Sequence, residues 1–327
     1  MAHRRILVTG GCGYIGSVLV RRLLECGYDP VVLDLMIHGD GRLRDSGLPV
    51  TLLNGDVRDT GMVRAAASGC WGAVLLAGVS LGNQATPESL AINRQALPPL
   101  LDCLDAAGVR RVVYASSCSV YGGRSATRLD ESAEPRPNSE YGAAKLDGER
   151  MVLAAPSGRE PVIVRAATVC GVSPRQRLDL LVNRMVRSAF FHQRIEVECA
   201  DSIRPSVHLD DLADIYCLLL AADSSQVAGR VFNAAFENRT VRDTALMIRS
   251  LTGATISSAG GAGDGRSYVV ESRHLTDGFG FRPRRSVVQA ASQLLAWFAA
   301  RPGVDAYAPG YDNRLAEQAW FAAMSSP

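Results

Sequence analysis

Ile6-Leu7-Val8-Thr9-Gly10-Gly11-Cys12-Gly13-Tyr14-Ile15-Gly16 lies near the start of the chain and decides its fold. Ile6–Thr9 is a short apolar run stopped by glycine, which reads as a buried strand. The residues after it, Tyr14–Cys26, carry apolar side chains at helical spacing. Gly10, Gly13 and Gly16 lie at the junction. Gly10 permits a tight turn, Gly13 lets backbone N–H groups approach an anion, and Gly16 lets the helix pack closely on the strand. The helix N-terminus, with Tyr14 and Ile15 beside it, then faces that anion with its partial positive charge. Three glycines alone say little. Placed after a strand and before a helix, they predict a dinucleotide pyrophosphate site.

The same alternation continues outward. Strands are expected at Val31–Asp34, Val50–Leu53, Ala73–Ala77, Val112–Ser116 and Val162–Arg165. Helices are expected near Gly61–Ala67, Pro87–Ala107 and Ser139–Ala154. Strands alternating with helices predict an α/β fold, a doubly wound parallel sheet covered on both faces and joined by right-handed crossovers. Beyond about residue 166 the pattern loosens. Helices are read at Leu178–Ser188, Asp210–Ala222 and Val241–Leu251, a strand at Val231–Ala234, a loop at Ser257–Gly265 and a final helix at Val287–Ala300. This divides the chain into a nucleotide-binding domain, 1–167, to which 206–235 returns, and a smaller interleaved lobe made of 168–205 and 236–327.

Asp34 ends the second strand, 18 residues after Gly16. A carboxylate there accepts from adenosine ribose hydroxyls and repels a 2′-phosphate, so the expected cofactor is NAD. Arg42 and Arg44 stand farther along the same loop and leave NADP as the alternative. Asp56 and Val57 follow the third strand; the Asp56 carboxylate either meets the adenine edge or serves a helix N-terminus.

Composition narrows the classes. Of 35 basic residues in the 327, all but Lys145 are arginine. Arginine replaces lysine on most solvated surfaces but not where a compact ammonium must fit beside a cofactor, so the one lysine points to its own site. The net charge of +2 is too balanced for a nucleic-acid or anionic-membrane surface. Eight cysteines without a Cys-x-x-Cys pair read as buried thiols in a reducing compartment, and no Cys/His cluster has zinc spacing. No run of 18 apolar residues occurs, so a soluble, cytoplasmic protein without a membrane span is expected.

Tyr141-Gly142-Ala143-Ala144-Lys145 places a phenol and that lysine on one helix face. An ammonium near a phenol favours the phenolate and lowers its pKa. Such a tyrosine removes a hydroxyl proton while hydride leaves the same carbon. Upstream, a strand ends in Ser116-Ser117-Cys118-Ser119-Val120-Tyr121-Gly122, which sets small hydroxyl residues at the crevice of a doubly wound sheet.

Together, Thr9-Gly10-x-x-Gly13-x-x-Gly16, Ser117 with Val120-Tyr121-Gly122, and Tyr141-x-x-x-Lys145 resemble the extended short-chain dehydrogenase/reductases, in the nucleotide-sugar epimerase/dehydratase branch, through most of the chain. The resemblance implies a Rossmann domain, with Ser117, Tyr141 and Lys145 as the catalytic group. It assigns Leu76-Ala77-Gly78 to the cofactor-side turn and Asn93 to the long helix after it. It makes Thr168 a substrate residue, where the family usually has Asn. It gives Arg204, Arg266 and Arg177 to the nucleotide diphosphate, for which a planar guanidinium is suited. It also implies a homodimer pairing the helices Pro87–Ala107 and Ser139–Ala154 as a four-helix bundle, although Leu97, Leu100, Leu101 and Leu104 could equally face the sheet.

The branch shares one opening step, oxidation of the sugar at C4. A 4,6-dehydratase would carry Asp-Glu where Cys118-Ser119 stand, and no second carboxylate is evident nearby. The expected reaction is therefore 4-epimerisation of a nucleotide-diphosphate sugar. A ketoreductase or dehydrogenase that exchanges its cofactor is the alternative, and a non-catalytic dinucleotide-binding regulator is a more distant one.

Overall fold

The computed structural model describes residues 4–79, 87–123, 128–154, 156, 158–258 and 266–324. Its first half alternates as β1 (Arg5–Thr9), α1 (Gly16–Glu25), β2 (Asp29–Asp34), β3 (Thr51–Asn54), α2 (Thr60–Ala67), β4 (Gly72–Leu75), α3 (Pro87–Leu90), α4 (Leu97–Ala106), β5 (Arg111–Ser117), β6 (Arg128–Leu129), α5 (Glu140–Leu153) and β7 (Glu160–Ala166). The second half holds β8 (Thr168–Cys170), α6 (Leu181–His192), β9 (Arg194–Val197), β10 (Ile203–His208), α7 (Leu209–Ala221), α8 (Ser224–Val227), β11 (Arg230–Ala234), β12 (Glu237–Thr240), α9 (Val241–Thr252), β13 (Thr255–Ser258), β14 (Val269–Val270), α10 (Arg273–Thr276), α11 (Val287–Ala299) and α12 (Asn313–Met324).

Seven parallel strands form the central sheet in the order β11-β7-β5-β4-β1-β2-β3. The order reverses direction between β1 and β4, which opens a crevice at their carboxyl ends. These strands are apolar almost throughout because both faces are covered. Leu19, Val20 and Leu23 of α1 pack on one face with Leu212 and Tyr216 of α7. Val63 and Ala66 of α2 pack on the other with Leu97, Leu100, Leu101 and Leu104 of α4. Those four leucines therefore face the core, and the outer side of α4 presents Asp102 and Asp105.

A three-stranded sheet, β12-β10-β8, and two-stranded pairs β13-β9 and β14-β6 build the rest, with α6, α9 and α11 enclosing a separate core around Met185, Ile248 and Leu294. Among the described residues, no helix is long and apolar enough to cross a membrane.

Three expectations are corrected. The helix read over Pro87–Ala107 is α3, a π-type turn at Ala91–Gln95, and α4. Pro98 and Pro99 lack N–H groups and their rings crowd the preceding turn, so the chain must start afresh at Leu97. Val287–Ala300 is not the last helix, because α12 follows it; Leu315 of α12 is exposed and Phe321 packs on distant Val79 and Ile92, which leaves no local apolar stripe to read. Ser257 and Ser258 belong to β13 rather than to a loop, paired with the remote β9; residues 259–265 lie outside the described residues.

Candidate active site

The crevice at the β1/β4 reversal opens into a cleft of about 430 Å³ that runs from Asp34 and Leu35, past the glycine turn, to Ser117, Tyr141 and Lys145. At the first turn, Gly10 has φ +73°, and a Cβ there would lie 2.7 Å from the Ala77 nitrogen. A Cβ on Gly16 would lie 2.3 Å from the Gly10 carbonyl oxygen. Only glycine fits either place. A Cβ on Gly13 would meet just the Gly10 carbonyl oxygen, at 3.2 Å, and Gly13 lines the cleft. Ile15, the residue before α1, offers no side-chain cap to that helix. A glycine floor under an uncapped helix N-terminus fits a diphosphate.

Asp34 closes the far end. Its carboxylate accepts from the backbone N–H of Cys12 at 2.9 Å and of Met36 at 2.7 Å, and burial pushes its pKa up despite these bonds. Gly55 and Val57 line the cleft, but the Asp56 carboxylate accepts from the backbone N–H and guanidinium of Arg58 instead. Arg42 and Arg44 do not line the cleft.

Leu76, Ala77 and Gly78 form the opposite rim. The π-type turn aims Asn93 at this rim. Val79 N donates to Asn93 Oδ1 at 2.9 Å, and Asn93 Nδ2 donates back to the Val79 carbonyl at 2.8 Å. The side chain thus holds the rim as a backbone partner would.

The reacting group is assembled from two elements. Ser139 caps α5 by accepting from Gly142 N at 3.1 Å, which places Tyr141 in the first turn and Lys145 one turn on. Ser117, at the end of β5, hydrogen-bonds the Tyr141 phenol. Lys145 is 8% exposed; its ammonium donates to the Ala115 carbonyl at 2.8 Å and lies 5.8 Å from the centre of the Tyr141 ring.

The electrostatics depart from the reading that the lysine lowers the phenol. Burial dominates and pushes the Tyr141 phenol up, while Arg177, the Ser117 hydrogen bond and Arg266 pull it back. Lys145 is itself pulled down to about 8 by burial, against the nearby Glu149 carboxylate. Desolvation is the dominant cause at both groups, raising the phenol and lowering the ammonium.

Thr168, Arg177, Arg204 and Arg266 all line the cleft. Arg177 is held by Asp179, its Nε donating at 3.1 Å. Cys118 donates to the Arg165 carbonyl, and burial pushes its thiol far up. Among the described residues, the Ser119 hydroxyl is buried without a partner, as is that of Tyr216 on α7, and both residues line the cleft. Beneath them, Arg165 donates to Glu149 at 2.9 and 2.7 Å and to the Tyr121 hydroxyl at 2.9 Å.

Several polar cleft residues escaped the sequence reading, among them His38, Arg175, Tyr216, Asn313 and Glu317. Glu317 is the second carboxylate in the cleft, and its charge reaches Tyr141. Asn313 and Glu317 sit one turn apart on α12, and Asn313 Nδ2 donates to Glu317 Oε1 at 3.2 Å. Their i, i+4 spacing was the available signal, but nothing local says that this helix reaches the cleft.

Residues 6–235 match the family described as the NAD dependent epimerase/dehydratase family. The UDP-glucose 4-epimerase of Streptomyces lividans is 28% identical across 95% of this chain and 99% of the relative. That of Azospirillum brasilense is 30% identical across 67% and 69%. Among solved structures, MoeE5 in complex with UDP-glucuronic acid and NAD superposes with a TM-score of 0.78 at 27% identity, covering 90% of this chain and 99% of that one. The dTDP-glucose 4,6-dehydratase DesIV from Streptomyces venezuelae reaches a TM-score of 0.80 over 91% and 98%, a likeness of fold alone at 24% identity. The chain belongs to the NAD dependent epimerase/dehydratase family, and its cofactor is NAD.

Proposed function

We propose that this family member is a nucleotide-sugar 4-epimerase, with Tyr141 as acid and base and Ser117 and Lys145 beside it. The observation that carries the reading is the cleft itself. Ser117, Tyr141 and Lys145 meet at the end of a crevice floored by glycine, while Cys118 and Ser119 stand where, by the family resemblance, a 4,6-dehydratase carries the Asp-Glu pair for elimination of water. Bound NAD supplies a two-electron acceptor that takes hydride and returns it. The chain's own residues move the proton. Tyr141 takes it from the C4 hydroxyl, and Ser117 bonds the same oxygen as it becomes a carbonyl. Lys145 holds the cofactor's ribose and adds positive charge beside the phenol. After the keto sugar turns over in the cleft, the proton returns from Tyr141 and the C4 centre is inverted.

Arg204, Arg266 and Arg177 are the groups this reading gives to the nucleotide diphosphate, and Thr168 to the sugar. Ser119 and Tyr216 bring buried hydroxyls without partners, which suit sugar hydroxyls. Glu317 does not restore a dehydratase, since a single carboxylate held by Asn313 supplies one of the two groups needed. The smaller lobe, 168–205 with 236–327, is the substrate lobe in this scheme, and the protein works in the cytoplasm. A homodimer goes with it through the outer sides of α4 and α5, where Leu153 is exposed; sedimentation velocity tests that association.

The UDP-glucose 4-epimerase relatives make UDP-glucose and UDP-galactose the first substrates to try. Incubation with catalytic NAD and proton NMR of the products is expected to show the C4 epimer with no net NADH. A 4-keto-6-deoxy product, or conversion only with stoichiometric nicotinamide turnover, would falsify the epimerase assignment.

A further inference from the structure

Arg175 lines the cleft yet is only 5% exposed, and none of its three guanidinium nitrogens has a hydrogen-bond partner among the described residues. A buried cation left unpaired is costly, and such groups are found where a ligand completes them. Burial pulls its pKa down only to about 10, so it stays charged at neutral pH.

Its place in the cleft is well defined. The loop that carries it docks on the glycine turn: Ser173 Oγ donates to the Tyr14 carbonyl at 2.8 Å and lies 3.0 Å from Ser17 Oγ. Arg175 feels the charges of Arg177, Asp179, Glu317 and Asp34, whereas the neighbouring Arg177 feels Tyr141. Arg175 is thus on the dinucleotide side of the cleft and Arg177 on the reacting side. Two more buried atoms without partners accompany it, His38 Nδ1 and Asn313 Oδ1. Phe321 of the same α12 packs on the Val79–Ile92 cluster, as does Leu35, and Leu35, Val79 and Ile92 all line the cleft. Glu317, 2% exposed, stays tied to Asn313 and lies 3.8 Å from His38.

We propose that Arg175 and α12 form a second wall of the NAD site, in which the Arg175 guanidinium, carried on the loop docked against the glycine turn, donates to the diphosphate bridge and α12 closes behind it. This inference concerns the cofactor site itself and goes beyond the epimerase reading, because it holds whichever sugar reaction follows.

The test measures NAD binding directly, with no reliance on turnover. NAD is stripped from the full chain, and its affinity and dissociation rate are followed by calorimetry and by protein fluorescence. Arg175→Met is expected to weaken NAD binding about 10- to 100-fold, the range of a charge-assisted pair. The NAD-free form of the same variant is expected to melt higher than the parent, because an unpaired buried charge is gone. Arg175→Lys, which keeps the charge but loses the fork, falls between the two. Phe321→Ala speeds NAD release about tenfold or more by loosening a packed aromatic closure. Arg314→Met, on the exposed side of α12, changes neither quantity.

NAD affinity within twofold of the parent in Arg175→Met overturns the proposal. Unchanged NAD binding with weakened UDP binding also overturns it, since the guanidinium then serves the substrate. Absence of any C4 epimer with the parent protein sinks the epimerase reading alone and leaves the NAD measurements standing.

Discussion

The Tyr14 hydroxyl donates to the Gly171 carbonyl at 2.8 Å across 157 residues of sequence, and accepts from Asn183 Nδ2 at 3.1 Å. One phenol thus ties the glycine turn to the loop that carries Arg175. Tyr14→Phe keeps the ring but takes one hydrogen bond from each of two buried groups, which keep their bonds to Gln176 and Arg177, and costs about 1–2 kcal/mol. Urea denaturation should show a lower midpoint with an unchanged slope. A midpoint equal to the parent's would mean that water replaces the hydroxyl at no cost.

Tyr141→Phe removes the proton carrier and leaves the glycine turn, Asp34 and Lys145 in place. Turnover should fall about 10²- to 10⁴-fold, the usual worth of a positioned acid–base group. NAD affinity should change little, as calorimetry can check. Retention of most turnover would assign the proton to another group, Tyr216 first among them.

Lys145 has its folded pKa lowered from 10.5 to about 8, so the folded protein binds fewer protons than the unfolded chain between those values. Stability gained from this group rises as pH climbs from about 8 through 10.5, and below 8 the penalty is constant at about 3 kcal/mol. Lys145→Met lacks the titration. In the NAD-free state the parent should gain on the variant across that interval, measured by denaturant unfolding at pH 7, 8, 9 and 10. A difference that stays flat with pH would show that the ammonium is better solvated than its burial implies.

Arg165 and Glu149 form a buried ion pair under the site, with side chains 5% and 2% exposed. Arg165→Met leaves the Glu149 carboxylate buried with only the Ser116 hydroxyl on it. A loss of about 3–5 kcal/mol is expected. Arg165→Met combined with Glu149→Met should recover most of that loss, because the uncompensated charge goes too. A double variant as unstable as the single one would show that the pair's bonds to Tyr121 and Ser116 matter more than its charge.

Much of this protein was legible along the chain because the signals are local. Ile6–Thr9 meeting Gly10, and the i, i+4 spacing of Tyr141 and Lys145, need no knowledge of distant residues. The breaks were less legible. Pro98-Pro99 stood in plain view inside the expected helix, but the register change they force depends on the Ala91–Gln95 turn wrapping Asn93 onto Val79. The strands of the second half that lie outside the central sheet are two to six residues long and pair with partners far away, β14 with β6 and β13 with β9, so no local period announces them.

The sequence by itself determined the parallel sheet, the glycine turn and the tyrosine–lysine pair, since each rests on spacing within one or two elements. Only the tertiary structure decided the sign of the Tyr141 shift, the turning of the α4 leucines toward the sheet, and the meeting of His38, Arg175, Asn313 and Glu317 in one cleft. Desolvation and the convergence of remote side chains depend on what surrounds a group from every direction, and a linear chain specifies that only once it has folded.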